Sequence, residues 1–335
     1  MSQKNLVTFK NLKTSFHTDQ GVVRAVRGVS FDIPYQSTVA LVGESGSGKS
    51  VTALSLMGLL PKPQGKIEGG QIFFEGEDVL AYSKDQIRQL RGTDLAMIFQ
   101  EPMTSLNPGL KVGYQVAEVF YRVLGQDKKT SRKKAIDMLR RVELPRPEDL
   151  ARSYPHELSG GQRQRVMIAM ALASSPKLLI ADEPTTALDV TIQAEVLDLM
   201  RRLQEDTGSS ILLITHDLGV VAEMADYVVV MYGGRVVEKA PVMDLFDRPL
   251  HPYTQGLLRA RPRLGQSGQK LFNIPGGVPD PRSLGGQCDF YDRCAYGQAI
   301  CQEGEPQLVE AYPGHQVACF MSKEGKAPWD QSSCK

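Results

Sequence analysis

The 335-residue chain reads as an α/β protein with a mostly parallel sheet, an inserted helical segment and a loop-rich C-terminal extension. Three observations predict this. Leu178–Asp182, Ile211–Thr215 and Val228–Met231 are near-continuous apolar runs, the pattern of parallel strands covered on both faces. The compact apolar run Thr38–Val42 leads into the glycine-rich Gly43–Gly48 and then into an apolar stretch at helical spacing. From about Met103 to Leu158 the chain carries charged helical stretches and Pro breaks, with no long β-branched run.

Taken in order, Leu6–Phe9, Val22–Val26 and Val29–Ile33 read as short strands, with a turn near Pro34. After the strand Thr38–Val42, a helix is expected over Ser50–Leu60, stopped by Pro61. Gln71–Glu75 is a further short strand closed by Gly76. Lys128–Val142 reads as a charged helix of the inserted segment, whose span is set at 103–158. Helices over 161–174 and 190–205, and the stretch 217–225, lie between and around the later strands. Beyond Pro241 the clustering of Pro275, Gly276, Gly277, Pro279 and Pro281 reads as an extension rather than a second independent core.

Thirty-nine Lys and Arg against 38 Asp and Glu leave a net charge of +1, which gives no electrostatic reason to expect nucleic acid or an anionic membrane as the main partner. Met1–Phe9 lacks the basic start and apolar core of a secretion signal. The best apolar stretch, Val166–Ala173, ends at Ser174, Ser175 and Pro176, far short of a membrane span. A cytosolic chain that reaches a membrane only by docking is therefore expected. All five cysteines, Cys288, Cys294, Cys301, Cys319 and Cys334, fall beyond residue 287. In a reducing cytosol such clustering points to metal ligands or redox groups rather than disulfides.

Gly43-Glu44-Ser45-Gly46-Ser47-Gly48-Lys49-Ser50 fits G-x-x-x-x-G-K-[ST] between a strand and a helix. Such a loop curls its N–H groups around phosphate oxygens, and the helix that starts at Lys49 adds its N-terminal dipole. Lys49 is expected on the β- and γ-phosphates and the Ser50 hydroxyl on Mg²⁺, with Val51 completing the loop's nucleotide contacts. The strand Leu178–Asp182 delivers two carboxylates at its C-terminal end, where open α/β sheets bind ligands. Asp182 is expected to hold the Mg²⁺ shell and Glu183 to polarise the attacking water.

Leu158-Ser159-Gly160-Gly161-Gln162, standing before that strand, resembles the signature motif of ATP-binding-cassette (ABC) ATPases. Gln100, after Met97-Ile98-Phe99, resembles the family's glutamine loop, which senses Mg²⁺ and touches the transmembrane partner. Ala187-Leu188-Asp189 resembles its D-loop, and His216 its switch histidine at the γ-phosphate. The resemblance implies a P-loop NTPase cassette with an antiparallel β subdomain and an inserted helical subdomain. It also implies two ATPase domains meeting head to tail, each ATP lying between one phosphate loop and the other's Leu158–Gln162. Phe16 is the aromatic placed for stacking on adenine, the alternative being a core position.

His251–Leu258, Met97–Pro108 and Ala181–Gln193 resemble the oligopeptide, dipeptide and nickel importer branch of the family. Many of its members carry Met where this chain has Gln162. The resemblance implies a cassette over 1–240, an extension over 241–335, and an ATPase that powers import of a peptide-like solute. The implied partners are two transmembrane permeases, a second and non-identical ATPase, and indirectly an extracytoplasmic solute-binding protein, at the cytoplasmic face of the inner membrane. Nickel, glutathione or sugar import, and a soluble non-transport ATPase, are the alternatives. Cys288, Cys294, Cys301 and Cys319 lack a CxxC pair and resemble the branch's four-cysteine pattern, which implies a [4Fe–4S] cluster, with Zn²⁺ or free thiols as alternatives. Cys334 is read as a bystander.

Overall fold

The computed structural model describes residues 4–100, 105–186, 188–260, 272–322 and 327. The expectations that fall on Met103, Thr104, Ala187 and Cys334 lie outside the described residues. The chain divides into two compact units, one of Met1–Leu6, Ile33–Thr38 and Ala81–Leu213, the other of Val7–Asp32, Val39–Leu80 and Ile214–Lys335.

The second unit opens with an antiparallel sheet of β1 (Asn5–Thr18), β2 (Gly21–Pro34), β4 (Gly65–Phe74) and β5 (Glu77–Asp78), in the order β2-β1-β4-β5. The three short strands expected before residue 34 are two strands of 14 residues each. Sequence periodicity breaks at Asn11, whose φ is +47°, and the register against β4 shifts between Lys10 and Lys13. The bulge swaps which residues face inward, so Val7 and Phe9 are buried before it and Leu12 and Thr14 after it. Phe9 stacks on Phe31 with ring centroids 4.5 Å apart, each burial stabilising by roughly 1.5–3 kcal/mol.

In the same unit β3 (Thr38–Val42) runs parallel to β9 (Tyr227–Tyr232), with Val39 opposite Tyr227 and Val42 opposite Val230. The chain turns back into β10 (Arg235–Pro241), which pairs antiparallel with β9. The extension is not wholly loop: β12 (His315–Val317) pairs with β10, and β11 (Val309–Tyr312) pairs with β12. Strands this short are invisible to a pattern search. Tyr253 and Phe290 from the extension share one apolar cluster with Val42, Val228 and Val230. The helix after the phosphate loop spans Lys49–Met57 and ends at Gly58, not at Pro61. Gly58 takes φ +61°, the left-handed cap that closes a helix with backbone N–H bonds to Leu54 and Ser55.

In the first unit β6 (Leu95–Ile98) pairs in parallel with β7 (Leu178–Asp182), and β8 (Ser210–Thr215) lies on the other side of β7. The inserted helices are Val112–Glu118, Lys128–Arg141 and Pro147–Leu150, and the helix Gly160–Leu172 follows them. Lys128–Arg141 is capped by Asp127, whose carboxylate accepts from Lys129 and Thr130. It buries Ser131, Ala135, Met138 and Leu139, one stripe at helical spacing. Gln115, also buried, closes the preceding loop by bonding Asn107 and Leu110. Helix Val190–Thr207 buries Val196, Leu197, Leu199, Met200 and Leu203. Among the described residues, no helix is long and apolar enough to cross a membrane.

Candidate functional site

In the second unit, Gly43–Ser50 forms a loop between β3 and the helix Lys49–Met57. A Cβ on Gly43 would lie 2.2 Å from the Met231 carbonyl oxygen, and one on Gly48 would lie 2.4 Å from that of Ala25. Both glycines also have positive φ, +151° and +99°, so any side chain would displace the loop. Lys49 is buried, and its Nζ donates to the carbonyl oxygens of Gly43 at 2.8 Å and Glu44 at 3.0 Å. The ammonium is thus folded into the loop's mouth, available to exchange neutral carbonyls for phosphate oxygens, its stronger partners. Ser45 and Gly46 are exposed, while Ser50 and Val51 are half-buried. Buried Ser47 Oγ has no hydrogen-bond partner.

Phe16 pairs with Gly65 across β1 and β4, and its Cε1 would lie 3.1 Å from a Cβ built on Gly65. The ring is half-buried, not enclosed in a core. His216 is exposed just after β8, beside Asp217, which accepts from Gly219 and caps the helix Leu218–Met224.

In the first unit, β7 ends at buried Asp182, and Glu183 follows with φ +49°. That left-handed conformation is uncommon outside glycine and costs of order 1 kcal/mol. Glu183 Oε2 accepts from Gln100 Nε2 at 2.9 Å and from Thr186 Oγ1 at 2.9 Å. Gln100 and Glu183, distant in sequence, are therefore brought together. Thr186 went unnoticed in the sequence; the only signal is a Thr three residues beyond the acid.

Ser159 caps the helix Gly160–Leu172, its Oγ accepting from Gln162 N at 3.3 Å while Gln162 Oε1 accepts from Ser159 N at 3.0 Å. The glutamine that departs from many branch members thus closes a reciprocal cap. Leu158 is buried, whereas Ser159 and Gly160 are exposed at the helix N-terminus. A Cβ on Gly161 would meet Ile192 Cγ2 at 2.7 Å. Asp189 caps helix Val190–Thr207 in backbone only, its side chain making no cap bond, and Val190 beside it is 84% exposed.

The extension reaches the phosphate loop. Glu44 N donates to Tyr253 Oη at 2.8 Å, and Arg293 Nη1 and Nη2 donate to Glu44 Oε2 and Oε1 at 2.6 and 3.0 Å. The fork raises the Arg293 pKa further above the ordinary guanidinium value. No sequence motif marks Arg293.

Cys288, Cys294 and Cys319 are half-buried, Cys301 is buried, and none forms a disulfide. Burial, and then the other three cysteines, push the Cys288 thiol up to about 12. Burial, and then Cys319 and Cys301, push Cys294 up to about 11. The four thiols are therefore neighbours, but they are not a preformed metal site. Among the described residues, no group of three or more His, Cys, Asp or Glu side chains could hold a metal ion. The expectation that Cys288, Cys294, Cys301 and Cys319 bind a [4Fe–4S] cluster therefore gains no support from this geometry. Burial opposes ionising Cys288, Cys294 and Cys319, which pack against apolar clusters.

Residues 26–186 match the ABC transporter family, and residues 237–301 match the oligopeptide/dipeptide transporter C-terminal region. The first match contains the phosphate loop, Gln100, the signature and the two acids; the second contains Arg293 and three of the four cysteines. The chain is 51% identical over 319 residues to the oligopeptide transport ATP-binding protein AppD of Bacillus subtilis, covering 95% of this chain and 97% of that one. It is 47% identical to the dipeptide transport ATP-binding protein DppD of the same organism, covering 96% of each. A dimeric post-hydrolysis structure of the ATP-binding cassette MJ0796, bound to ADP and Pi, matches with a TM-score of 0.63 at 28% identity. That match covers 70% of this chain and 98% of the other. CbiO1 of Clostridium perfringens matches with a TM-score of 0.62 at 30% identity, over 72% of this chain and 91% of its own. With its phosphate loop, its acidic strand and 95% of its length matched in this way, the chain belongs to the ABC transporter family, as an ATPase of the branch that carries the oligopeptide/dipeptide transporter C-terminal region.

Proposed function

We propose that this chain hydrolyses ATP to power import of a peptide through a membrane transporter, with a cassette over residues 1–240 and an extension over 241–335. The observation that carries hydrolysis is Glu183 at the end of β7, its carboxylate oriented by Gln100 and Thr186. Residues 237–301 and the peptide-transport relatives carry the cargo class.

In this reading Lys49 and the loop N–H groups bind the phosphates, Phe16 stacks on adenine, and His216 contacts the γ-phosphate. Ser50, Asp182 and Gln100 would supply the hard oxygens that Mg²⁺ takes, and the ion would offset the charge on the phosphates. Glu183 accepts a proton from water as that water attacks. Leu158–Gln162 act on the nucleotide of a second ATPase, the exposed Ser159 and glycine N–H groups donating to γ-phosphate oxygens. Asp189, with its side chain uncommitted by capping, lies on the same dimer face.

The permease partners dock on the inserted helices at the cytoplasmic face of the membrane. A cavity of about 610 Å³ there is lined by Lys111, Tyr114, Tyr121, Arg132 and Arg152 among others. Its basic rim and paired tyrosines fit a short permease helix with an acidic or carbonyl-rich end. The solute-binding protein acts indirectly through those permeases, and the second ATPase is a different chain.

Cys288, Cys294, Cys301 and Cys319 take one [4Fe–4S] cluster. Their mutual proximity favours this, and bound iron would offset the burial that opposes ionising Cys288, Cys294 and Cys319.

The test is co-expression with the two permeases and reconstitution in liposomes. Peptide-stimulated ATP hydrolysis is expected, as is cross-linking of permease loops to cysteines placed at positions 107–115. Hydrolysis indifferent to peptide, or cross-links confined to 241–335, would overturn the assignment.

A further inference from the structure

Glu44 is the first variable residue of the phosphate loop, and the extension holds it at two points. Its carboxylate takes both prongs of Arg293, whose side chain is only 6% exposed. The guanidinium is itself fixed: Nε donates to the Pro275 carbonyl at 2.9 Å, and the plane lies over Tyr232 and Phe290 at 5.7 and 5.9 Å from their centroids. The Glu44 N–H is occupied by the hydroxyl of fully buried Tyr253. The Glu44 carbonyl oxygen in turn accepts from Lys49 Nζ. At the loop's other end, the Ser47 carbonyl takes Gly234 N at 3.1 Å, and Gly234 O takes Arg27 N at 2.7 Å. Arg27 is anchored on Asp289 and Glu305 of the extension, both at 2.5 Å.

A glycine-rich loop with free space around Gly46 has conformational freedom to lose when it closes on phosphate. Fixing its ends before the nucleotide arrives removes part of that loss. We infer that Arg293 and Tyr253 are positioning residues for nucleotide binding: they hold Glu44, and through it the loop and Lys49, in the phosphate-ready shape. This rests on the nucleotide reading of the loop made above.

The alternative is a staple that only keeps the extension folded. The two differ in what they change. Losing the preorganisation of a phosphate site weakens ground-state and transition-state binding alike, so KM for ATP rises while kcat holds. A staple lowers the melting temperature and leaves the affinity of the folded fraction untouched.

The experiment measures the Kd for MgADP on the full-length chain by calorimetry, and KM and kcat for MgATP. The variants are Glu44→Gln, Arg293→Gln, the double variant and Tyr253→Phe. Arg293→Gln and Glu44→Gln should each raise Kd and KM by roughly tenfold or more, with kcat within about twofold. The double variant should be no worse than the weaker-binding single one, since one interaction is removed either way. Tyr253→Phe, which deletes one hydroxyl and keeps the ring, should raise Kd by roughly two- to fivefold with little change in melting temperature. An unchanged Kd in folded Arg293→Gln, or additive effects in the double variant, would overturn the inference. If Arg293→Gln does not fold, an unchanged Kd in Tyr253→Phe overturns it alone. Failure of the unmodified chain to bind MgADP would instead sink the nucleotide reading itself.

Discussion

Glu238 offers the sharpest test of how the extension is fastened. Its carboxylate is fully buried on β10 and accepts from Leu250 N at 2.6 Å and from His251 N at 2.9 Å. It also meets His315 Nε2 of β12 at 2.7 Å. His315 Nδ1 is buried without a partner, so the tautomer that fits is the one donating from Nε2. Glu238→Ala leaves all three donors in the dark. An orphaned buried donor costs about 1–3 kcal/mol, and the three share one cavity, so their losses do not simply add. A destabilisation of about 3–5 kcal/mol is expected, the range seen when one side of a buried polar pair is removed. Glu238→Gln keeps one acceptor oxygen but turns an NH₂ toward a remaining donor, so about 1–3 kcal/mol is expected. Urea unfolding measures both, and hydrogen exchange at Leu250 and His251 locates the loss. A loss below about 1 kcal/mol for the alanine variant, or a glutamine variant as damaged as the alanine one, would refute this account.

Three further outcomes are expected. Glu183→Gln should keep nucleotide binding while turnover falls by roughly 10² or more, since the amide cannot take the water's proton; hydrolysis near the unmodified rate would place the base elsewhere. Burial lowers the His251 pKa from 6.5 to about 3. As the pH falls below 6.5, the unfolded chain therefore binds a proton that the folded chain refuses, and stability drops by up to about 1.4 kcal/mol per pH unit until near 3. His251→Asn, which keeps an acceptor for the Tyr253 N–H, should flatten urea midpoints between pH 6.5 and 5; an equal slope in both proteins would contradict the assignment. Anaerobically purified chain should carry about four irons and four sulfides, and stoichiometric zinc without sulfide would replace the cluster with a zinc site.

What was legible in the sequence is what local chemistry dictates. The turn at Gly43–Ser50, the strand end at Asp182 and the cap at Ser159–Gln162 announce themselves because tight glycine turns, strand ends and helix caps each demand particular residues at short spacing. The buried strands β3, β7, β8 and β9 are apolar runs that no other element suits. The rest depends on partners far apart in the chain. Nothing near Arg293 or Tyr253 foretells Glu44, more than two hundred residues earlier. Arg293 adjoins Cys294, so the segment that reads as a cysteine cluster also reaches the phosphate loop. The bulge at Asn11 and the stop at Gly58 went unread for another reason: a single left-handed residue decides them, and apolar periodicity does not register it.

The pairing of β12 with β10 also bears on how the chain is made. Residues 242–314 separate the two strands, so during synthesis β10 stands as an open edge until almost the entire chain has left the ribosome. Open edges invite pairing with the wrong strand, and an inward-pointing charge is a known defence. Glu238 stands at that edge: until its partners are in place, its acidic side chain makes the bare edge of β10 a poor template for a neighbouring nascent chain. When His315 arrives, with Leu250 and His251 already close in sequence, the same carboxylate becomes the acceptor at the centre of the closed sheet. One residue thereby guards the unfinished edge and then seals it.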